Sequence, residues 1–210
     1  MHEQRDDTDN PQIPTQKLPM KSSILAVALL STLTFAAQAA PNDGIVGAYD
    51  RVEVGRSNFG LSSSQPQVAA SEHDQAIKLF GGYRCNENLG VEVGYTTLGS
   101  FTKSVIVGGA SVKQDGTARS VFGVATGRMP VAESFALHGR LGLSFGKVSG
   151  TNLLPEGDNL MGSKTSVLFG LGAEYRPMPN VALTVNYDSY GKLSSNVKAS
   201  ALVFGLHFTL

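Results

Sequence analysis

Apolar and polar residues alternate with period two along most of the chain beyond residue 40. That period marks a strand with two different faces. Leu89, Val91, Val93 and Tyr95 share one parity, and Gly90, Glu92, Gly94 and Thr96 share the other. Just upstream, Ile77, Leu79 and Tyr83 lie opposite Lys78 and Arg84, and the turn Cys-Asn-Glu-Asn at 85–88 joins the two runs into a hairpin. The same unit recurs. A first strand is predicted over roughly 44–57, with Val52 and Val54 against Arg51, Glu53 and Gly55; Asp50 falls on the face of Val52, which allows a bulge there. Further strands are predicted at about 117–128, 135–146, 164–176, 181–190 and 199–210. The cleanest has Phe135, Leu137, Leu141, Leu143 and Phe145 opposite His138, Arg140, Gly142, Ser144 and Gly146. The count is eight. Long polar connections, about 61–74, 99–115, 149–162 and a shorter one near 191–198, alternate with short turns that follow Arg84, Arg128 and Arg176. No helical period of 3.6 appears after residue 40.

Composition decides which solvent each face meets. One face is Leu, Val, Phe, Ile and Tyr with almost no charge; the other combines Gly, Ala and Ser with Lys78, Glu92, His138, Arg140, Glu174 and Asp188. Small residues with one or two charges per strand make a poor water-facing surface. They make a good interior for eight strands, which enclose a space that side chains can just fill. Glycine leaves room for bulky ions, and buried charges of both signs must pair. The apolar face is therefore assigned to lipid, and the fold class is all-β: an eight-stranded antiparallel up-and-down transmembrane β-barrel. Strands need only ~9–11 residues to cross. Tyr83, Phe135 and Tyr175, with Phe208, are expected to form one interfacial aromatic girdle; Tyr95, Phe101, Phe145, Tyr187 and Tyr190 are expected to form the other. The turn arginines are expected in the headgroup layer.

The N-terminal segment reads as a targeting signal. Met20-Lys21 starts a short basic region, 24–35 is apolar, and Ala-Gln-Ala at 37–39 is a cleavage site. Residues 20–39 are thus read as a signal peptide and Ala40 as the first mature residue. The acidic, polar stretch 1–19 is wrong for such a region and is read as an over-extended gene start or a disordered extension. The barrel domain is 40–210. Formal net charge is zero, with 17 basic and 17 acidic residues, so no nucleic-acid partner is expected. Cys85 is the single cysteine, which precludes an intramolecular disulfide.

The mature chain resembles the small OmpA/OmpX-like outer-membrane β-barrel family. The resemblance rests on Gly-Gly-Tyr-Arg at 81–84, Gly-Val-Glu-Val-Gly-Tyr at 90–95, Gly-Leu-Gly-Ala-Glu-Tyr at 170–175 and the last strand. It covers the barrel domain alone, without the peptidoglycan-binding domain of full-length relatives, so cell-wall tethering is not implied. It implies outer-membrane localisation, outer-membrane lipid as surroundings and the outer-membrane assembly machinery as a partner during biogenesis. Gly205, Phe208 and Leu210 would carry the C-terminal assembly signal; the family's usual last residue is Phe, and here it is Leu.

No catalytic, cofactor or metal residues are assigned, and no enzyme is expected. Inward His138 and Arg140 with the lumen acids lack the Ser/His/acid arrangement at the outer rim that a lipid-modifying enzyme needs. His207 is read as a lumen filler, and His73 as a loop residue. The segment 81–90 lacks the Gly-Lys-Ser/Thr of a phosphate loop. The function expected is a structural outer-membrane barrel with a filled lumen. Lys78, Glu92, His138, Arg140, Glu174 and Asp188 would form the lumen ion-pair network, with Arg140, Lys78, Glu92 and Glu174 at its centre. The long connections are where an extracellular partner would dock, in adhesion or envelope integrity. The apolar patch Val-Ile-Val-Gly-Gly-Ala at 105–110 is read as a strand extension above the membrane. The alternatives are a lipid-modifying enzyme and a soluble lipocalin-like periplasmic binding barrel.

Overall fold

A computed structural model describes residues 46–62, 67–107, 109–151, 159–178 and 181–208. Nine strands are found among them: β1 (Gly47–Leu61), β2 (Gln67–Ser71), β3 (His73–Arg84), β4 (Leu89–Val107), β5 (Ala110–Ala132), β6 (Phe135–Gly150), β7 (Gly162–Met178), β8 (Val181–Lys192) and β9 (Val197–Phe208). The short β2 and β3 lie along the same edge of β4, separated in sequence by Glu72 alone, so they form one interrupted stave. Eight staves result. All neighbours are antiparallel, and β1 pairs with both β3 and β9, which closes the sheet on itself. Closure leaves no sheet edge with unpaired backbone, which lipid would not tolerate.

Side-chain parity follows the expected inversion. Val93 is 68 % exposed on the outside, and Leu141, Leu143, Val167, Leu171 and Phe204 are also exposed there, whereas Lys78, Glu53 and Asp188 are 0 % exposed inside. The pleat places successive side chains on opposite faces, so one alternating run builds both surfaces. Asp50 points outward, and β1 pairs with β3 without interruption from Gly47 to Asn58, so no bulge forms at Asp50.

Several connections are shorter than expected. The segment 99–115 is mostly strand: β4 and β5 stay paired out to Val107 and Ala110, as the strand-extension reading of 105–110 requires. At ~3.3 Å per residue, the 23 residues of β5 run about 76 Å, well beyond a membrane's hydrocarbon thickness even when tilted. Within 61–74, β2 occupies 67–71 and β3 starts at His73. Arg128 does not end a strand; β5 continues to Ala132 and turns at 133–134. The first turn is built as read. Asn86 Oδ1 accepts from the backbone N–H of Asn88 (2.9 Å) and Leu89 (2.8 Å), and Asn88 Nδ2 donates to the Arg128 carbonyl (2.9 Å). A local Asn side chain thus replaces the backbone partners the turn would lack.

Two bulges alter the interior. In β4, Leu98 is inserted between Thr97 and Gly99, which pair with Arg119 and Ala118; in β8, Tyr190 is inserted between Ser189 and Gly191. Gly99 (φ +80°) and Gly191 (φ +65°) supply the left-handed backbone these bulges need. Asp74 closes the first: its Oδ2 accepts from Ser100 N–H at 2.6 Å, and a Cβ on Gly99 would lie 2.6 Å from the same oxygen.

Candidate lumen plug

The lumen is filled in two tiers. The tier toward the short turns is ionic. Lys78 Nζ lies 2.6 Å from Asp188 Oδ2 and 3.6 Å from Glu53 Oε2. Arg140 donates from Nε to Glu92 Oε2 at 2.8 Å, and its terminal nitrogens lie 3.5 Å from Glu53 and 3.6 Å from Asp188. Tyr49 OH donates to Glu92 (2.7 Å), and Asn186 Nδ2 donates to Glu53 (2.6 Å). Strands β1, β3, β4, β6 and β8 each contribute at least one of these groups, so the network ties across the barrel as well as along it. Two glycines make the room. A Cβ on Gly170 would collide with Asp188 Oδ1, and one on Gly205 would lie 2.9 Å from Glu53 Cγ. The Phe80 and Phe122 rings flank Lys78, with Nζ 4.7 and 5.0 Å from their centroids. A cation over a ring face is attracted by the ring quadrupole.

Of the six residues expected in this network, Lys78, Glu92, Arg140 and Asp188 meet in it. Glu174 does not; it sits in a separate cluster at the short-turn mouth, 3.3 Å from Arg51, 3.3 Å from Arg128 and 2.9 Å from Arg176. His138 faces inward and hydrogen-bonds through Nε2 to Asn186 Oδ1, beside the glycine of Gly172. Arg128 and Arg176 were expected in the headgroup layer. They point inward instead, because Arg176 shares the parity of Glu174, and Arg128 that of buried Phe122 and Val124. Glu53, Tyr49 and Asn186 were missed as network members, and Arg51 as a member of the mouth cluster around Glu174. Their signal was the inward parity of β1 and β8, obscured in β1 by Asp50.

The tier toward the long connections is apolar. Phe59, Leu98, Phe101, Leu160, Leu168, Tyr190, Leu193 and Val197 are all at most 1 % exposed and belong to one cluster. Phe59 and Phe101 pack with ring centroids 5.1 Å apart, and Tyr190 OH bonds to Thr96 Oγ1 at 2.9 Å where the two tiers meet. The 193–196 connection folds over the end, where Ser194 Oγ donates to the Leu160 carbonyl at 2.8 Å.

This tier corrects two girdle assignments. Phe101 and Tyr190 are interior residues. The inserted Leu98 reverses the parity of β4, so Phe101, Lys103 and Val105 turn inward although Tyr95 points out. Tyr190 keeps the inward parity of Asp188. Six of the remaining seven, Tyr83, Tyr95, Phe135, Phe145, Tyr175 and Tyr187, face outward. Phe135 and Tyr175 are cross-strand partners stacked at 4.5 Å near the short turns, and Tyr95 and Phe145 flank Val121 from either side. Gly205 lies in β9, and the backbone of Phe208 pairs with Val181; the Phe208 and His207 side chains and Leu210 fall outside the described residues, as do 1–45 with the expected signal peptide.

Residues 25–209 match the family model described as "Outer membrane protein beta-barrel domain". Among curated proteins, the chain is 29 % identical over 177 residues to outer membrane protein A of Klebsiella aerogenes, covering 80 % of this chain and 48 % of that protein. It is 32 % identical over 75 residues to the attachment invasion locus protein of Yersinia enterocolitica, covering 36 % of this chain and 39 % of that one. The chain thus spans about half the length of the outer membrane protein A sequence it matches. The crystal structure of OprG from Pseudomonas aeruginosa superimposes with a TM-score of 0.51 at 16 % identity, over 78 % of this chain and 94 % of that one, a likeness of fold. The compartment that follows is the outer membrane of a Gram-negative envelope. The chain belongs to the outer membrane protein β-barrel family.

Proposed function

We propose that this chain is a closed, non-catalytic structural barrel of the outer membrane whose contacts with other molecules are made at the long-connection end. The observation that carries the reading is the two-tier filling of the lumen. Lys78, Glu53 and Asp188 are sealed beneath an apolar plug of Phe59, Leu98, Phe101 and Leu193. Charges paired within 4 Å in the interior hold one another in place, and among the described residues the plug above them sets buried apolar side chains across the route an ion would take. The test is conductance of the purified barrel in planar bilayers. Only baseline current is expected; steady single-channel openings would overturn the closed reading.

The paired extension of β4 and β5 favours a surface role at its tip. It continues past the last β2 pairing at Val105 and exposes Ile106 at 43 %. One relative carries attachment and invasion in its name, which supports adhesion as the class of contact. Cells displaying the barrel with Ile106→Ser should attach more weakly to host-cell surfaces at unchanged expression. The short turns, with exposed Cys85, are read as periplasmic, and export is read as depending on a signal peptide at 20–39. N-terminal sequencing of the mature protein should begin at Ala40.

A further inference from the structure

We propose that the outer surface of β3, β1, β9 and β8 near the long connections is a binding site for a phosphate-bearing lipid headgroup. Three cross-strand rows build it. His73, Asn58, Ser200 and Ser189 are successive partners across the four strands, so one level of the outer surface is wholly polar. One pleat nearer the short turns the row reads Gln75, Arg56, Leu202 and Tyr187. One pleat farther out it reads Gly60, Lys198 and Lys192. Arg56 and Asn58 share the outward parity of exposed Val52 and Val54, and Lys198 shares that of exposed Leu202 and Phe204. The short side chains of the middle row leave a groove. Two hollows of about 370 and 400 Å³ have Asn58, Ser200 and Tyr187 in common; Arg56 and His73 line the first, Lys198 and Glu72 the second.

The charges of this patch are unbalanced. Lys192 and Lys198 stand directly opposite each other, a position in which like charges repel. Among the described residues, Arg56, Lys192 and Lys198 make no ion pair with an acidic side chain, Glu72 included. Three cations against one carboxylate leave two positive charges, and a phosphate monoester carries about two negative ones. Arg56 is level with Leu202, four residues from Lys198 along β9, or roughly 13 Å. A phosphate seated over Asn58 and Ser200 would therefore lie between the two cations, with an amide and a hydroxyl donor beneath it. The arginine fork matches phosphate oxygens two at a time, and the lysine adds a point charge. Leu202 and Tyr187, 45 % and 50 % exposed, continue the groove toward the short turns as an apolar surface along which an acyl chain would run. That continuation favours a lipid over a soluble phosphate. The inference rests on the reading that the outward face meets lipid, and adds to it one preferred headgroup position.

The test places the folded full barrel in phosphatidylcholine vesicles. Electron paramagnetic resonance then measures how strongly trace spin-labelled phosphatidic acid and spin-labelled phosphatidylcholine are immobilised at its surface. Phosphatidic acid should associate at least about twofold more strongly, as interfacial cations attract anionic headgroups. Arg56→Gln with Lys198→Gln should remove at least half of that preference. Lys113→Gln with Lys164→Gln, an equal loss of exposed charge elsewhere, should leave it intact. No preference in the parent, or an equal loss in both double variants, would overturn the site. Added inorganic phosphate should not release the immobilised lipid; release would overturn the assignment to a headgroup. A barrel that stays outside the vesicles, with no gel shift of a folded form, would overturn the lipid-facing reading itself and the site with it.

Discussion

Replacing Lys78 with Met removes one of the two cations that hold Glu53, Glu92 and Asp188 inside the barrel. The side chain is fully buried, so methionine fills much of the volume and the change is mainly one of charge. Asp188 loses its 2.6 Å partner and keeps only the longer 3.6 Å approach to Arg140, whose Nη1 makes no hydrogen bond. Glu53 keeps Asn186 and Arg140. The dominant cost is therefore an uncompensated carboxylate at Asp188. Breaking a buried pair from one side costs about 3–5 kcal/mol, or roughly a hundred- to several-thousand-fold in the folding equilibrium at about 1.4 kcal/mol per decade. With a urea slope of about 1–3 kcal/mol per molar, the midpoint should fall by at least about 1 M. The assay is the folded-to-unfolded gel shift of barrels in lipid vesicles across a urea series. A second variant, Lys78→Met with Asp188→Asn, should recover part of the loss, because the orphaned charge is gone, with a coupling of about 0.5–3 kcal/mol between the sites. A Lys78→Met barrel within about 0.5 kcal/mol of the parent, or a double variant worse than the sum of the singles, would refute the pairing described.

Two other substitutions test the faces. Leu143→Arg places a charge in the middle of the outward apolar band and should cost about 2–4 kcal/mol, whereas outward Met129→Arg near the short turns should cost about 0–1 kcal/mol, both read by urea unfolding in vesicles; equal effects would mean that the band does not face lipid. Phe101→Ala should cost about 3–5 kcal/mol as an emptied core position, and Tyr95→Ala, facing lipid, distinctly less by the same assay; the reverse order would return Phe101 to the membrane girdle.

Period-two alternation, with the composition of each parity, was enough to read eight staves, an outward apolar side and most lumen ions. The physical reason is local: a pleated strand sends alternate residues to opposite faces, so composition by parity reports the two solvents directly. The interior signature was legible wherever charge sat among small residues, as around Glu92, Arg140 and Glu174. What depended on distant strands was not legible. Lys78 meets Asp188 across 110 positions and Arg140 meets Glu92 across 48, distances set by closure and stagger of the whole barrel. The same limit hid the separation of Glu174 into an arginine-lined mouth. Parity itself failed at one inserted residue: Leu98 reversed β4, so Phe101 became plug instead of girdle. A strand keeps its alternation only while its register is unbroken, and whether a Gly-containing run such as Leu98-Gly99 bulges is decided by its partners, here Arg119, Ala118 and the Asp74 carboxylate, which only the folded barrel brings together.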